Sequence, residues 1–232
     1  MEKVIKVFSG HQPNFLPYMG FFYKMLKSDV FVLDDDVQYS NDAFHNMNFL
    51  KLNGAKCKII VPVSYSYGDA INKVKIAYVK NWDKKLLKSI RMNYARAEYV
   101  DVGYELIERH LNKRYEYLAD MNIALLKEIA ERFGISTKLL IASIDVPTEL
   151  KNNQRNIYQC LKLGCDVYYS GIGGKAYNDE ISYNANGIEI IYSDYSPSVY
   201  KQIGKCFIEN LSVLDYICNN GFNLPEGWHK NG

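Results

Sequence analysis

A chain of 232 residues, 48% hydrophobic and 23% charged, is long enough to bury a sizeable core and is composed like a soluble globular protein. Its net charge of +2 supplies no basic field for a large nucleic-acid surface. No apolar run approaches a membrane span and no signal-peptide core follows the two N-terminal lysines, so the expected location is the cytoplasm.

Val4–Phe8 reads as a buried strand ended by Ser9-Gly10. Pro13 and Pro17 hold the next segment extended or turning, because each fixes its own φ and restricts its predecessor. Met19, Phe22, Tyr23 and Leu26 share one face of a helix over Met19–Lys27, broken by Ser28-Asp29. Val30–Leu33 is a second strand, so the opening is a βαβ unit, expected to be right-handed and parallel. Asp34–Lys56 has no clean period and is expected to be irregular and functional, since its aromatics argue against disorder. Cys57–Val63 is an apolar strand, Ser64–Ala70 a turn, and Ile71–Val79 an alternating segment that pairs back as a hairpin.

A helical block follows. Trp82, Leu86, Ile90 and Tyr94 fit one face, Tyr104–Leu111 is a second helix, and Leu118, Met121, Leu125, Ile129 and Phe133 stripe a third, closed by Gly134. Thr137–Ile141 is a short strand, and Asn152 or Asn153 caps a helix that runs to Leu163 and stops at Gly164. Asp166–Tyr169 is a strand leading straight into Ser170-Gly171-Ile172-Gly173-Gly174-Lys175. Asn178–Tyr183 is a short helix, Ile188–Tyr192 a last strand, and Leu211–Cys218 a helix closed by Gly221; the tail from Pro225 looks frayed. This order predicts an α/β class: one domain over 1–232, with a mostly parallel Rossmann-like sheet, flanking helices and a helical insertion at about 80–133.

Polar groups stand twice at the ends of buried strands, where open parallel sheets bind ligands. His11 follows the first strand, beside Gln12 and Asn14, and its imidazole suits a general base or a phosphate donor; the competing reading is a structural histidine. Asp34-Asp35-Asp36 ends the second. Three adjacent carboxylates repel each other and make sense around a cation, a divalent metal or a substrate amine, unless they form an exposed turn. Their D-x-D resembles the metal-nucleotide motif of some glycosyltransferases. Asn46 and Asn48, with His45 and Lys51 nearby, can orient a ligand, or they form an ordinary polar loop. His110 is expected on a charged helix surface and His229 in the tail.

The run Ser170–Lys175 can bare backbone N–H groups toward a phosphate or carboxylate. It is neither a Walker A loop nor GxGxxG, so a tight packing turn competes equally with anion binding. The five cysteines, Cys57, Cys160, Cys165, Cys206 and Cys218, form no CxxC pair and read as small core residues in a reducing compartment. The 20 tyrosines suit a wet groove or reflect lineage composition.

Several of these stretches together resemble the WbqC-like family. The marks are His11-Gln12-Pro13-Asn14-x-Leu16-Pro17-Tyr18-x-Gly20, Ser28–Val32, Asp35-Asp36-Val37-Gln38-Tyr39-Ser40, and Phe44-x-Asn46-x-Asn48. Later marks are Tyr117–Asn122, Leu161-x-x-Gly164-x-Asp166-x-Tyr168-x-Ser170-Gly171, Gly174-Lys175-x-Tyr177, and Phe207-Ile208-x-Asn210–Asp215. The likeness spans nearly the whole chain. It implies a transferase of surface-glycan, O-antigen-type biosynthesis that attaches an amino-acid-derived or other acyl group, such as glycyl, to the amine of a nucleotide-linked amino-deoxy sugar. On that reading His11, Asp35 and Asp36 are catalytic. Gln12, Asn14, Gln38, Tyr39, His45, Asn46, Asn48 and Lys51 hold the substrate, and Ser170, Gly171, Gly173, Gly174 and Lys175 hold a phosphate.

Two departures from the family pattern both remove positive charge: Met47 stands where relatives usually carry Arg, and Asn41-Asp42 where they carry a basic residue. A fainter likeness, to nucleotidyltransferases and class I synthetases, rests on the early His loop and the late Gly-Lys loop. It implies ATP activation of a carboxylate. ATP and a divalent metal are therefore the cofactor candidates; the acyl or aminoacyl donor and the oligomeric state stay open. Two other readings compete: a metal-dependent sugar-nucleotide glycosyl or nucleotidyl transferase with Asp34 and Asp36 on the ion, and a non-catalytic binding subunit of a glycan assembly complex.

Overall fold

The computed structural model describes residues 5–41 and 43–229. Val4, Asp42 and the last three residues of the tail lie outside them.

Strand β1 (Val7–His11), helix α1 (Met19–Leu26) and strand β2 (Val30–Leu33) form the expected parallel βαβ opening. Two antiparallel pairs follow, β3 (Met47–Leu52) with β4 (Ala55–Ile60), and β5 (Val63–Ser64) with β6 (Lys75–Ile76). Helices α2 (Trp82–Asn93), α3 (Val100–Asn112) and α4 (Leu118–Arg132) come next. The sheet resumes with β7 (Lys138–Ile141), passes through α5 (Ala142–Asp145) and α6 (Asn152–Lys162) to β8 (Val167–Ser170), then through α7 (Glu180–Ala185) to β9 (Glu189–Tyr192). Helix α8 (Val213–Asn220) closes the chain. The five long-range strands are parallel, in the order β7-β2-β1-β8-β9.

Alternation along β2 divides the core. Val30 and Val32 point to one face, where they meet Ile157 and Cys160 of α6 and Tyr183 of α7. Phe31 and Leu33 point to the other, packed with Phe22 and Met25 of α1 and with α2, α3, α4 and α8. A sheet covered on both faces explains why its strands read as continuous apolar runs.

The structure corrects the expected boundaries in several places. Ser9-Gly10 does not end β1: Ser9 is buried with its hydroxyl donating to the Tyr169 carbonyl at 2.6 Å, and pairing with β2 carries the strand to His11. The segment 34–56 is not irregular throughout. Asn53-Gly54, at φ +51° and +77°, turns β3 into β4, the dipeptide and left-handed pair that hairpins favour. Within Ile71–Val79 only Lys75–Ile76 pairs back, because Ile71–Lys73 is a 3₁₀ turn. His110 is buried, between the Tyr115 hydroxyl at 3.1 Å and Glu128 at 2.8 Å, because the face it shares with Leu106 and Ile107 packs inward. Cys206 is exposed and Cys57 half-buried, so only three of the five cysteines are core residues. The tail is held as far as Trp228, whose ring lies 4.9 Å from that of Tyr23.

Candidate functional site

The chain leaves β1 toward β2 on one side and returns to β8 on the other. Neighbouring connections therefore diverge above the carboxyl ends of β1 and β8, which opens a crevice there. A cleft of about 820 Å³ occupies this position. Gly10, His11 and Gln12 line it from β1, Asp34, Asp36 and Gln38 from the turn after β2, and Ser170, Gly171, Gly173 and Gly174 from the turn after β8. Lys24 of α1 and Arg155 of α6 complete its charged lining together with Glu149 and Lys151 of the preceding loop.

The carboxylate run meets a cation supplied by the chain itself. Arg155 donates from Nε to Asp34 at 3.0 Å and from its terminal nitrogen to Asp36, while Gln159, one helical turn on, donates to Asp34 at 3.0 Å. Burial pushes the Asp34 carboxyl upward; the Arg155 charge and the Gln159 amide oppose that. Asp34 and Asp36 are thus both engaged by Arg155, and the pair does not fit the donor set of a divalent ion. Asp35 points elsewhere. It accepts from the backbone N–H and hydroxyl of Ser143 at 3.0 and 2.6 Å and from Asn72 at 3.1 Å, which staples β2 to α5.

His11 is a neutral imidazole. Burial first, then the Lys24 charge, lower it to about 3, against the opposing effect of the Gln12 carbonyl. That carbonyl, 3.0 Å from Nδ1, can only accept, so Nδ1 carries the proton and Nε2 keeps its lone pair. Lys24 donates to the Gly10 carbonyl at 2.7 Å, and burial, opposed by Asp34, lowers it to about 8.

The turn after β8 has two kinds of glycine. A Cβ on Gly171 or Gly173 would meet open space, whereas one on Gly174 would fall 2.1 Å from the Ser170 Oγ. Gly174 is required by packing; Gly171 and Gly173 face the cleft. Lys175 turns away and sets its ammonium 5.3 Å from the centre of the Tyr192 ring.

The remaining predicted residues, Asn14, Tyr39, His45, Asn46, Asn48 and Lys51, do not line the cleft. Asn46 donates to the Val61 carbonyl at 2.9 Å. Asn48 donates to the carbonyls of Phe15 and Leu16 at 3.0 and 2.8 Å, and Ser212 reaches the same Leu16 carbonyl at 2.8 Å. Those bonds hold Leu16 at φ +44°, a region that a residue with a side chain rarely enters. Lys51 reaches Gln202 and the Cys206 carbonyl. His45 accepts the Ser40 N–H on Nδ1 at 3.2 Å and is lowered to about 4 by burial. The His11–Gly20 motif and the Phe44–Asn48 stretch do meet, but through backbone. Phe15 N–H donates to the Phe44 carbonyl at 3.0 Å, and buried Asn122 donates to the carbonyls of Pro13 and His45 at 2.8 and 2.7 Å.

Residues 12–226 match the WbqC-like protein family. The chain belongs to that family. An uncharacterized protein of Mycobacterium tuberculosis is 28% identical over 230 residues, 97% of each chain. Membership in the WbqC-like family suggests a glycan-biosynthesis-related function and names no reaction or substrate. The motif Leu-Pro-Tyr-x-Gly gains a physical reason: a Cβ on Gly20 would fall 2.3 Å from the Tyr18 ring and 2.9 Å from that of Tyr195, and both rings wall the cleft. Met47, the departure from the family pattern, opens β3 opposite Ile60, is buried and lies outside the cleft. Among the described residues no helix is long and apolar enough to cross a membrane.

Sequence reasoning missed Lys24, Arg155, Gln159 and Tyr195. Arg155 and Gln159 had a signal, since polar residues four apart on an amphipathic helix share a face.

Proposed function

We propose that the strand-end cleft is the active site of a surface-glycan transferase that attaches an amino-acid-derived or other acyl group to the amine of a nucleotide-linked amino sugar. The observation that carries this reading is the meeting of His11 and the Gly171–Gly174 turn in one cleft of about 820 Å³, within the size range of small-molecule sites. Family membership supplies the glycan context. Gly171 and Gly173 leave room for a phosphate to approach backbone. His11 Nε2 takes the proton as the amine nitrogen forms its bond to the acyl carbon, and the leaving group departs with the electron pair of the broken acyl bond. A bound diphosphate adds negative charge beside the imidazole and raises its basicity from that of the empty cleft. No step is routed through a metal, because Arg155 already engages Asp34 and Asp36.

The test is incubation of the purified protein with nucleotide amino sugars and candidate donors, read by mass spectrometry for the amide. His11→Ala should keep ligand binding and lower turnover by about 10²–10⁴-fold. Unchanged turnover in a folded His11→Ala protein would remove His11 from the mechanism. Nucleotide-sugar binding without product from any donor class would favour a binding subunit.

A further inference from the structure

Lys24 is a buried cation that the reaction above does not use. Its side chain lines the cleft, and the residue is 7% exposed. Its ammonium makes one hydrogen bond among the described residues, to the Gly10 carbonyl at 2.7 Å. An ammonium carries three protons, so two remain without a protein acceptor there. The Phe31 ring centre lies 5.9 Å from the nitrogen and offers no such acceptor. Asp34, the carboxylate that attracts Lys24, takes Arg155 and Gln159 on Oδ1 and makes no hydrogen bond to the ammonium. The result is a buried cation at a cleft, with two donors that no protein acceptor completes, which is costly unless a ligand completes them.

We propose that Lys24 is the anion-binding group of the cleft, receiving an oxyanion of the ligand: the diphosphate of a nucleotide sugar or the carboxylate of an acyl donor. The inference rests on the cleft being a ligand site and not on the transfer reaction.

A consequence follows from its surroundings. Lys24 stands at about 8 in the empty cleft, and an anion against it favours the ammonium and moves that value upward. Below about pH 8 the empty and filled clefts both hold the proton. Above it the empty cleft loses a proton that the filled cleft keeps, so binding takes up a proton and affinity falls as pH rises. Around it, His11 on β1 stays neutral, burial raises the phenols of Tyr18, of Tyr168 on β8 and of Tyr195, and Arg155 on α6 stays charged beside Asp34 and Asp36.

Calorimetry at about pH 9, in buffers of different ionisation enthalpy, tests this with uridine diphosphate and N-acetylglycine as separate probes. One probe should bind the wild type with uptake of up to one proton, and that probe identifies the source of the oxyanion. Lys24→Met should weaken it by roughly tenfold or more and abolish the uptake. Lys24→Arg should keep most of the affinity and also abolish the uptake, because a guanidinium does not deprotonate. Thermal unfolding checks both variants; if Lys24→Met does not fold, Lys24→Arg decides through proton uptake. Unchanged uptake in either folded variant, or wild type that binds neither probe, would overturn the proposal. Linked binding without any acyl transfer would keep it and remove the transferase reading alone.

Discussion

Two regions of this molecule carry the same kinds of residue and use them differently. Around β3 and α4, Asn46, Asn48, Lys51 and Asn122 each donate to a carbonyl of the chain itself. At the ends of β1, β2 and β8, His11 and Lys24 line the cleft with a lone pair or protons that no protein partner takes, and Gly171 and Gly173 keep open space. The two histidines make the contrast sharpest. Nδ1 of His11 donates to a carbonyl, whereas Nδ1 of His45 accepts an N–H, so protonating His45 would break a bond that holds its loop. A polar residue near a strand end is therefore not evidence of a site until its hydrogen bonds are assigned.

Changes in the first region should act on stability and leave binding alone, and changes in the cleft should do the reverse. Arg155 is where that division breaks, since it lines the cleft and neutralises two carboxylates. Arg155→Met should lower unfolding free energy by about 3–5 kcal/mol, read in urea, because both carboxylates lose their partner. A loss under about 1 kcal/mol would show that water satisfies them and that the pair is not structural.

Asn48→Ala should cost about 1–3 kcal/mol, since it leaves the Phe15 carbonyl without its donor and the Leu16 carbonyl held by Ser212 alone, while ligand affinity stays unchanged. A large change in affinity at full stability would place Asn48 in the site and erase the contrast. Gly174→Ala should cost about 1–3 kcal/mol through its clash with Ser170, while Gly171→Ala should leave the unfolding midpoint within error and weaken phosphate-ligand binding instead.

The effect that develops most gradually concerns pH. His45 is held well below its ordinary value, so between about pH 6.5 and 4 the unfolded chain takes up a proton that the folded chain refuses. Stability therefore falls as pH falls through that window, with a slope of up to about 1.4 kcal/mol per pH unit from this residue. His45→Gln should flatten that slope in a pH series of urea unfolding curves. An unchanged slope would assign the acid sensitivity to other groups.

Legibility in the sequence followed the range of the interaction. The βαβ opening, α2, α4 and α6 could be read because apolar period and glycine stops are local signals. The β3–β4 hairpin could have been read too, since Asn53-Gly54 announces it, but the polar strands around it hide the period. The strand ends as the place of the cleft were legible through His11, Asp36 and Ser170–Gly174. Asp35 was not separable from Asp34 and Asp36, because direction alternates along the chain and only the fold shows which carboxylate meets α5.

The sequence by itself determined the family and the parallel α/β class, since these rest on local pattern and on motif order. Tertiary structure alone decided that Arg155, 121 positions from Asp34, is the cation the carboxylates require. It also decided that Asn48 serves a backbone turn and that Lys24 faces a cleft. Partners so distant in sequence meet only when β2 and α6 pack on one sheet, and a side chain's chemistry is fixed by which hydrogen bonds that packing completes.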